Sequence, residues 1–403
     1  MKQTEVLQGL RIMKFEDIYD RTARRELSQE EAASILGMSE RTFRRWRDRY
    51  EEEGAQGLYD KRLGRVSAHR VPVDTLMEVL ELFDTRYWDF TAKHFHEKLV
   101  REHGFTRSYN WVRLTLQEYS RIRPAPRRGA HRRKRERRPL PGMMLHQALP
   151  GRTMKWSERD ASSHQWVDGQ WWDLIVTMDD ATSEVYSAFF TDEEGTISSL
   201  QGVSDVIESN GLFSSFYTDR GSHYWFTPEA GGKVDKHNLT QVGRALQQLG
   251  VEHIPAYSPE ARGRSERMFG TLQGRLPQEL RLAGIGDMDA ANRFLTDVFM
   301  PEHNKRFVVI PEEPGSAFVP FTGNLKDTLC IQEERVVGND NTVRYKKLIL
   351  QIPENKHRHH YVKAKVRVHQ YLDGTLAIFH GPRQLAAYDK KGNLREGKSK
   401  LAA

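Results

Sequence analysis

The sequence is short of cysteine, of long apolar runs and of any leader-like start. Its 403 residues hold one cysteine, Cys330. A single thiol excludes an internal disulfide framework and any zinc site built from several cysteines. No apolar stretch approaches the ~20 residues that a membrane-spanning helix requires. The start, Met1-Lys2-Gln3-Thr4-Glu5, lacks the apolar core of a secretion signal. The expectation is a cytoplasmic chain in a reducing compartment, without a membrane partner.

What is present is charge. There are 62 Lys+Arg against 55 Asp+Glu, a net of +7. The excess is modest, but the arginines cluster, which points to a polyanionic partner. The length predicts two to four domains.

Residues 27–50 carry the first local pattern. Ser28 is placed to cap a helix, with Glu31 three residues on as its capping-box partner. Gly37 ends that helix and Ser39 caps the next. The second helix buries Phe43, Trp46 and Tyr50 and exposes Arg41, Arg44, Arg45 and Arg47. This is a helix-turn-helix with a basic second helix, the arrangement that enters a major groove. Its bland counterpart is a helical hairpin with a solvated charged face. Helical spacing over 73–83 and 92–102, then Gly104 before Ser108, suggests a second, weaker unit of the same kind. Between 121 and 138 lie ten basic residues, among them Arg132, Arg133, Lys134 and Arg135, against Glu136 alone. Such a stretch reads as a linker that tracks phosphates.

From about 144 the texture changes. Trp172-Asp173-Leu174-Ile175-Val176-Thr177-Met178 reads as a strand buried on both faces. Further strands are expected over 185–190, 212–217 and 251–256, and helices over 197–209, 239–249 and 262–282. That order predicts a layered α/β domain whose chemistry gathers at strand ends. Residues 328–390 read as a small β domain, a barrel, with Asp373-Gly374 as a hairpin turn. The predicted domains are 1–63 and 64–120 (helix-turn-helix units), 121–142 (basic linker), 143–310 (α/β core) and 311–403 (basic β-barrel and tail).

Two acidic segments stand out in the core. Tyr217-Thr218-Asp219-Arg220-Gly221-Ser222 puts Asp219 at a strand end. Pro259-Glu260-Ala261-Arg262-Gly263-Arg264-Ser265-Glu266-Arg267 puts Glu266 in the first turn of a helix among arginines. Metal-assisted phosphodiester chemistry uses two Mg²⁺ about 4 Å apart, held by a few carboxylates. A third acid is expected from the first strand of the domain. Asp160, in Asp160-Ala161-Ser162-Ser163-His164-Gln165-Trp166, is the choice. Asp179 and Asp180 are its rivals, although a turn role suits them better. Asp168-Gly169 reads as a hairpin turn and Asp173 as a strand start. His223 and Tyr224 either touch substrate or pack. His357, His359 and His360 lack an acid or cysteine framework for a metal.

On these residues the chain resembles the DDE-type insertion-sequence transposases, closest to the ISNCY group, with a retroviral-integrase-like core. The resemblance runs from the helix-turn-helix to about 320. It rests on Asp160 with Trp166, the turn Asp179-Asp180-Ala181-Thr182-Ser183, the strand end at Asp219, the segment from Ser258 to Arg267, and Asn304-Lys305-Arg306. It implies an RNase H-like fold and a site of Asp160, Asp219 and Glu266 holding two divalent ions, Mg²⁺ or Mn²⁺. It implies double-stranded DNA partners, element ends and target, and a homo-oligomer on paired ends in a bacterial-type nucleoid. Arg220, Arg262, Arg264 and Arg267 are expected on DNA phosphates. The chain departs from the family in one place above others. The opening strand, Met143-Met144-Leu145-His146-Gln147, is separated from Asp160 by 148–159, which contain Pro150-Gly151. The competing reading is a catalytically inactive, transposase-derived DNA-binding protein.

Overall fold

The computed structural model describes residues 3–60, 71–124, 135–148, 164–229, 232–257, 263–354 and 358–395. It divides into two compact units, 1–82 and 83–403. Asp160, Arg132, Arg133, Lys134, Arg262 and His357 lie outside the described residues.

The first unit is helical: α1 (Gln3–Ala23), α2 (Gln29–Leu36), α3 (Glu40–Glu53) and a 3₁₀ turn, Gly54–Leu58. The caps act as the sequence suggests. Ser28 and Glu31 form a reciprocal capping box, Gly37 takes a left-handed φ of 65°, and Ser39 accepts from the Thr42 amide. Phe15 of α1 sits at the centre, fully buried, against Phe43 (5.6 Å between ring centroids) and Trp46 (5.4 Å). Among the described side chains of α1, Ile12, Phe15 and Ile18 form a buried stripe among charges, too sparse to announce a helix in the sequence. That hydrophobic closure fixes α3 with its arginines outward.

In the chain that follows, α4 spans Val73–Thr85, α5 Ala92–Glu102 and α6 Tyr109–Glu118. Thr91 caps α5 and Ser108 caps α6. Within the second unit α5 is clasped to the core by charge. Glu97 of α5 accepts from Arg275 (2.6 Å) and Arg306 (2.7 Å), and His94 (2.7 Å) and Lys98 (2.8 Å) meet Glu279. Burial alone would raise the Glu279 carboxyl, but the His94 and Lys98 hydrogen bonds outweigh it and bring it down to about 2.

The core runs β1 (Leu145–Ala148), β2 (His164–Val167), β3 (Gln170–Asp179), β4 (Val185–Thr191), α7 (Thr196–Asn210), β5 (Ser215–Thr218), α8 (Gln241–Leu249) and β6 (Glu252–Pro255). Helices α9 (Gly263–Gln273), α10 (Leu276–Leu282), α11 (Met288–Phe294) and α12 (Met300–Phe307) follow, the last two joined by a π turn, Leu295–Phe299. One helix was expected over 262–282. It breaks at Gly274-Arg275, and Pro277 opens α10, where a missing amide costs nothing.

The sheet is mixed. β4, β3 and β1 are successively antiparallel, and β1, β5 and β6 are parallel. The strands run β4-β3-β1-β5-β6, with β2 also paired to β3, a mixed sheet as expected for the core. Leu145 and Phe216 pack toward α7 and α8, with Leu200, Val203 and Leu246. Leu174, Val176 and Met178 pack on the opposite face, with Met268, Phe269 and Leu272 of α9. Alternation along each strand therefore assigns every position of β1, β3 and β5 to one face or the other.

The C-terminal part needs a correction. After the short α13 (Leu325–Thr328) come β7 (Ile331–Val336), β8 (Thr342–Tyr345), β9 (Leu348–Gln351), β10 (Lys365–Gln370), β11 (Leu376–His380) and β12 (Arg383–Tyr388). They form a four-stranded sheet, β12-β11-β10-β7, and a separate hairpin, β8-β9. No closed barrel forms among the described residues; the hairpin packs Val343, Tyr345 and Leu350 on the sheet's Val366, Val368 and Ile378. The single strand expected over 342–352 turns at Lys346, which adopts φ 51°. No described helix is long and apolar enough to cross a membrane.

Buried histidines set the acid limit of this fold. Burial holds His253 near 3, and His303 and His369 near 4, against an ordinary value of about 6.5. A base with a lowered folded value binds fewer protons than the unfolded chain, so its stabilising share is complete above pH ~6.5 and drains as pH falls toward 4. The melting temperature is expected to fall steeply from pH 6.5 to 4. A flat calorimetric profile across that interval would contradict it.

Candidate active site

β1 and β5 are the parallel pair at the centre of the sheet. Their register pairs Leu145 with Phe216 and His146 with Tyr217. Continued two residues, it brings the rung at 148 beside Asp219. Tyr217 and Asp219 share one face of β5, the face of α9, by strand alternation. Asp219 accepts from the Gly221 amide at 2.9 Å, which bends the chain sharply after the strand. Thr218 points the other way, where Trp225 Nε1 donates to its hydroxyl at 3.0 Å and His253 Nε2 lies 3.0 Å away. Trp225 stacks on His253 with ring centroids 3.8 Å apart. This packing fixes the strand end from beneath.

Tyr224 belongs to that underlayer. It is buried and donates to Gln147 Oε1 at 2.6 Å; Gln147 in turn donates to Thr177 and to the Ser199 carbonyl. Gly202 makes room for this amide: a Cβ there would lie 2.4 Å from Gln147 Nε2. His223 faces instead toward Glu194, with Nε2 3.4 Å from its carboxylate. Burial raises the Glu194 carboxyl above its ordinary range; the His223 contact opposes this and the nearby Asp219 and Asp173 charges add to it. Glu194 was missed by sequence reasoning. It stands in the β4–α7 connection, where Glu193-Glu194-Gly195 has the composition of any solvated turn.

The other end of β1, at the β3–β4 turn, holds a buried charge cluster. Asp180, fully buried, accepts from His146 Nε2 (2.7 Å), the Arg138 amide (2.9 Å) and the guanidiniums of Arg135 and Arg264. A carboxylate taken out of water must be paired. Burial works against its ionised form, and these donors more than compensate, holding it well below the usual carboxylate range. His146 is pushed down by burial and by the same two guanidiniums. Its Nδ1 meets no hydrogen-bond partner among the described residues. Its Nε2 lies against Asp180, and the two arginines add compensating charge. Asp179 turns its carboxylate to the amides of Gly142 (2.9 Å) and Thr182 (2.8 Å). Both rivals to Asp160 are thus consumed by the β3–β4 turn. Arg135 and Arg264, assigned to phosphates from sequence, are engaged by Asp180 in the folded chain, and Arg264 also reaches the Arg135 carbonyl.

Arg264 anchors the first turn of α9, and Met268, Phe269 and Leu272 lock the helix on β3. Glu266 and Arg267 consequently face solvent on that first turn. Arg220 lies with its guanidinium 5.3 Å from the Tyr257 ring centroid and donates to the Gly232 carbonyl. No three ligating side chains among the described residues converge as a metal site would require. Asp219 and Glu266 supply two carboxylates, and rung 148, beside Asp219, is an alanine. The described residues alone do not fit a metal pair.

A family model described as a helix-turn-helix domain matches residues 20–65. The transposase-like protein y4bF of Sinorhizobium fredii is 30% identical over 352 residues, 86% of this chain and 74% of that protein. The transposase for insertion sequence IS1202 of Streptococcus pneumoniae is 25% identical over 380 residues, 87% of this chain and 80% of its own length. Among solved structures, a chain of the simian T-cell lymphotropic virus intasome in complex with the PP2A regulatory subunit B56 gamma is 15% identical, with a TM-score of 0.33, over 80% of this chain and all of that one. A chain of a pre-cleavage Mos1 transpososome is 13% identical, with a TM-score of 0.26, over 74% of this chain and 95% of its own. With a relative matched at that identity over three quarters of its length, this chain belongs to the transposase family of insertion sequences.

Proposed function

We propose that the protein is a DNA transposase that holds the ends of its element through α3 and exchanges phosphodiesters at the sheet edge carrying Asp219. The observation that carries this reading is one chain combining a basic helix-turn-helix with a central parallel strand pair that runs into Asp219 and a later helix that exposes Glu266 in its first turn. Arg41 and Arg45 are exposed on α3, whereas Arg47 leans on Asp48 at 2.9 Å and Arg44 on Glu40 at 3.7 Å. Arg267 and Arg220 flank the proposed chemistry and suit DNA phosphates. Asp219 and Glu266 are the proposed ligands for divalent ions; Asp160, the third acid expected, lies outside the described residues. The reaction has two displacements at phosphorus. Water cleaves a phosphodiester at the element end, leaving a 5′-phosphate and a 3′ oxygen that takes the proton. The freed 3′-hydroxyl then attacks a target phosphodiester, so that one phosphodiester forms as another breaks and the proton passes to the displaced 3′ oxygen of the target. No nucleotide cofactor is consumed. Work on paired ends calls for a homo-oligomer.

The test is binding and joining of short duplexes that carry the element's terminal repeats, in Mg²⁺ or Mn²⁺. End-specific binding with metal-dependent nicking and joining is expected; equal binding to scrambled duplexes with no joining would refute the reading. The double change Arg41→Ala with Arg45→Ala is expected to weaken end binding and to flatten the log–log salt slope by about two, one per lost phosphate contact. An unchanged slope would remove α3 from the DNA.

A further inference from the structure

The pairing of β3 shows how the opening strand is built. β1 lies along one edge of β3, with Ala148 opposite Val176. β2 also pairs antiparallel with β3, with His164 opposite Trp172. Only the rungs of Ile175, Leu174 and Asp173 separate them. Three residues would fill those rungs in a continuous strand, yet fifteen stand between Ala148 and His164, a surplus of twelve.

We infer that β1 and β2 are two halves of one strand, split by a twelve-residue surplus, and that Ala148 therefore holds the rung where a first acidic ligand would face Asp219. The inference rests on the transposase reading above and concerns how competent its site is. Three independent placements agree. The β1–β5 register, continued, sets rung 148 beside Asp219. Alternation puts position 148 on the face of His146 and Val176, where α9 packs. And removing 148–159 brings Asp160 to that rung and Ala161, Ser162 and Ser163 to the next three, so that His164 meets Trp172 with no residue left over. One rung holds one residue, and the residue that pairs with Val176 is Ala148. Alanine offers no oxygen to a hard cation. The chain as it stands is thus an attenuated enzyme, and the surplus is the attenuator.

Two variants test this, one without touching the surplus: Ala148→Asp in the full chain, and deletion of 148–159. Mn²⁺ binding, followed by electron paramagnetic resonance without DNA, is expected to tighten at least about tenfold in both, and metal-dependent nicking to rise by a similar factor. Asp219→Asn in either background should cancel the gain. Circular dichroism and end binding confirm that each variant is folded. If the full chain already binds Mn²⁺ as tightly as the deletion variant, and Asp160→Asn weakens that binding, the inference fails while the transposase reading stands. If folded, end-binding variants take up no Mn²⁺, the inference fails together with the assignment of Asp219 as a ligand.

Discussion

Asp219→Asn or Glu266→Gln is expected to leave end binding within about twofold and to cut metal-dependent strand cleavage at least about 100-fold. Both changes keep the shape of the side chain and remove its charge, so packing is spared. Asp219 accepts from the Gly221 amide, a bond that the Asn oxygen can still accept. Glu266 faces solvent, so its replacement strands no buried partner. End recognition is assigned to α3, in the other compact unit. The loss should appear in the full chain and in the 148–159 deletion alike, which separates ligand loss from strand register. Cleavage retained above a tenth of the parent rate would remove either carboxylate from the chemistry.

Asp180→Ala is expected to cost the second unit about 3–5 kcal/mol, because it leaves two guanidiniums beside an empty, dry pocket. Asp180→Asn should recover little: its oxygen can replace Oδ1, but its NH2 group then faces the Arg138 amide, itself a donor, and the negative charge that balances the two guanidiniums is gone. The effect is read from the urea transition of the unit spanning 83–403, since a two-unit chain need not unfold in one step. The pH signature carries a definite sign. Asp180 has a lowered carboxyl, so its share of stability is complete above the unfolded value of about 3.9 and drains below it. His146 works in a higher window: its imidazole is held neutral, and stability drains as pH falls below about 6.5. The Asp180→Ala variant should lose the lower-pH part of the acid profile and keep the histidine part. A cost below about 1 kcal/mol would mean that Arg135 and Arg264 find water as readily as they find Asp180.

Local grammar made much of this legible. Caps, turn glycine and aromatic spacing wrote out α2 and α3 because each is settled within a few residues. The apolar run of β3 and the strand end at Asp219 were legible for the same reason. What escaped depends on partners far along the chain. Nothing near Arg264 says that it will meet a carboxylate 84 residues upstream, and an arginine beside Glu266 reads as a phosphate contact until Asp180 is seen. Helix α1 was invisible because three apolar residues in a charged segment define no face until Phe43 and Trp46 close on them. The barrel was over-read: alternating strands announce a sheet, but closure depends on edge pairing that composition does not encode. Position 148 was the subtlest case. The sequence marked 148–159 as extra residues before Asp160, and strand register adds that Ala148 pairs with Val176.

The charged clasp on α5 bears on how this protein can be taken apart and recombined. Glu97, His94 and Lys98 answer Arg275, Arg306 and Glu279 across some 180 residues of chain. A fragment trimmed to 143–310 would leave those core charges orphaned on a face shaped to meet a helix. Such a fragment would be salt-sensitive and prone to self-association, however sound its sheet. Exchange of end-recognition modules between relatives is therefore better made ahead of α4 than at the arginine-rich stretch, which looks like the natural seam and is not one.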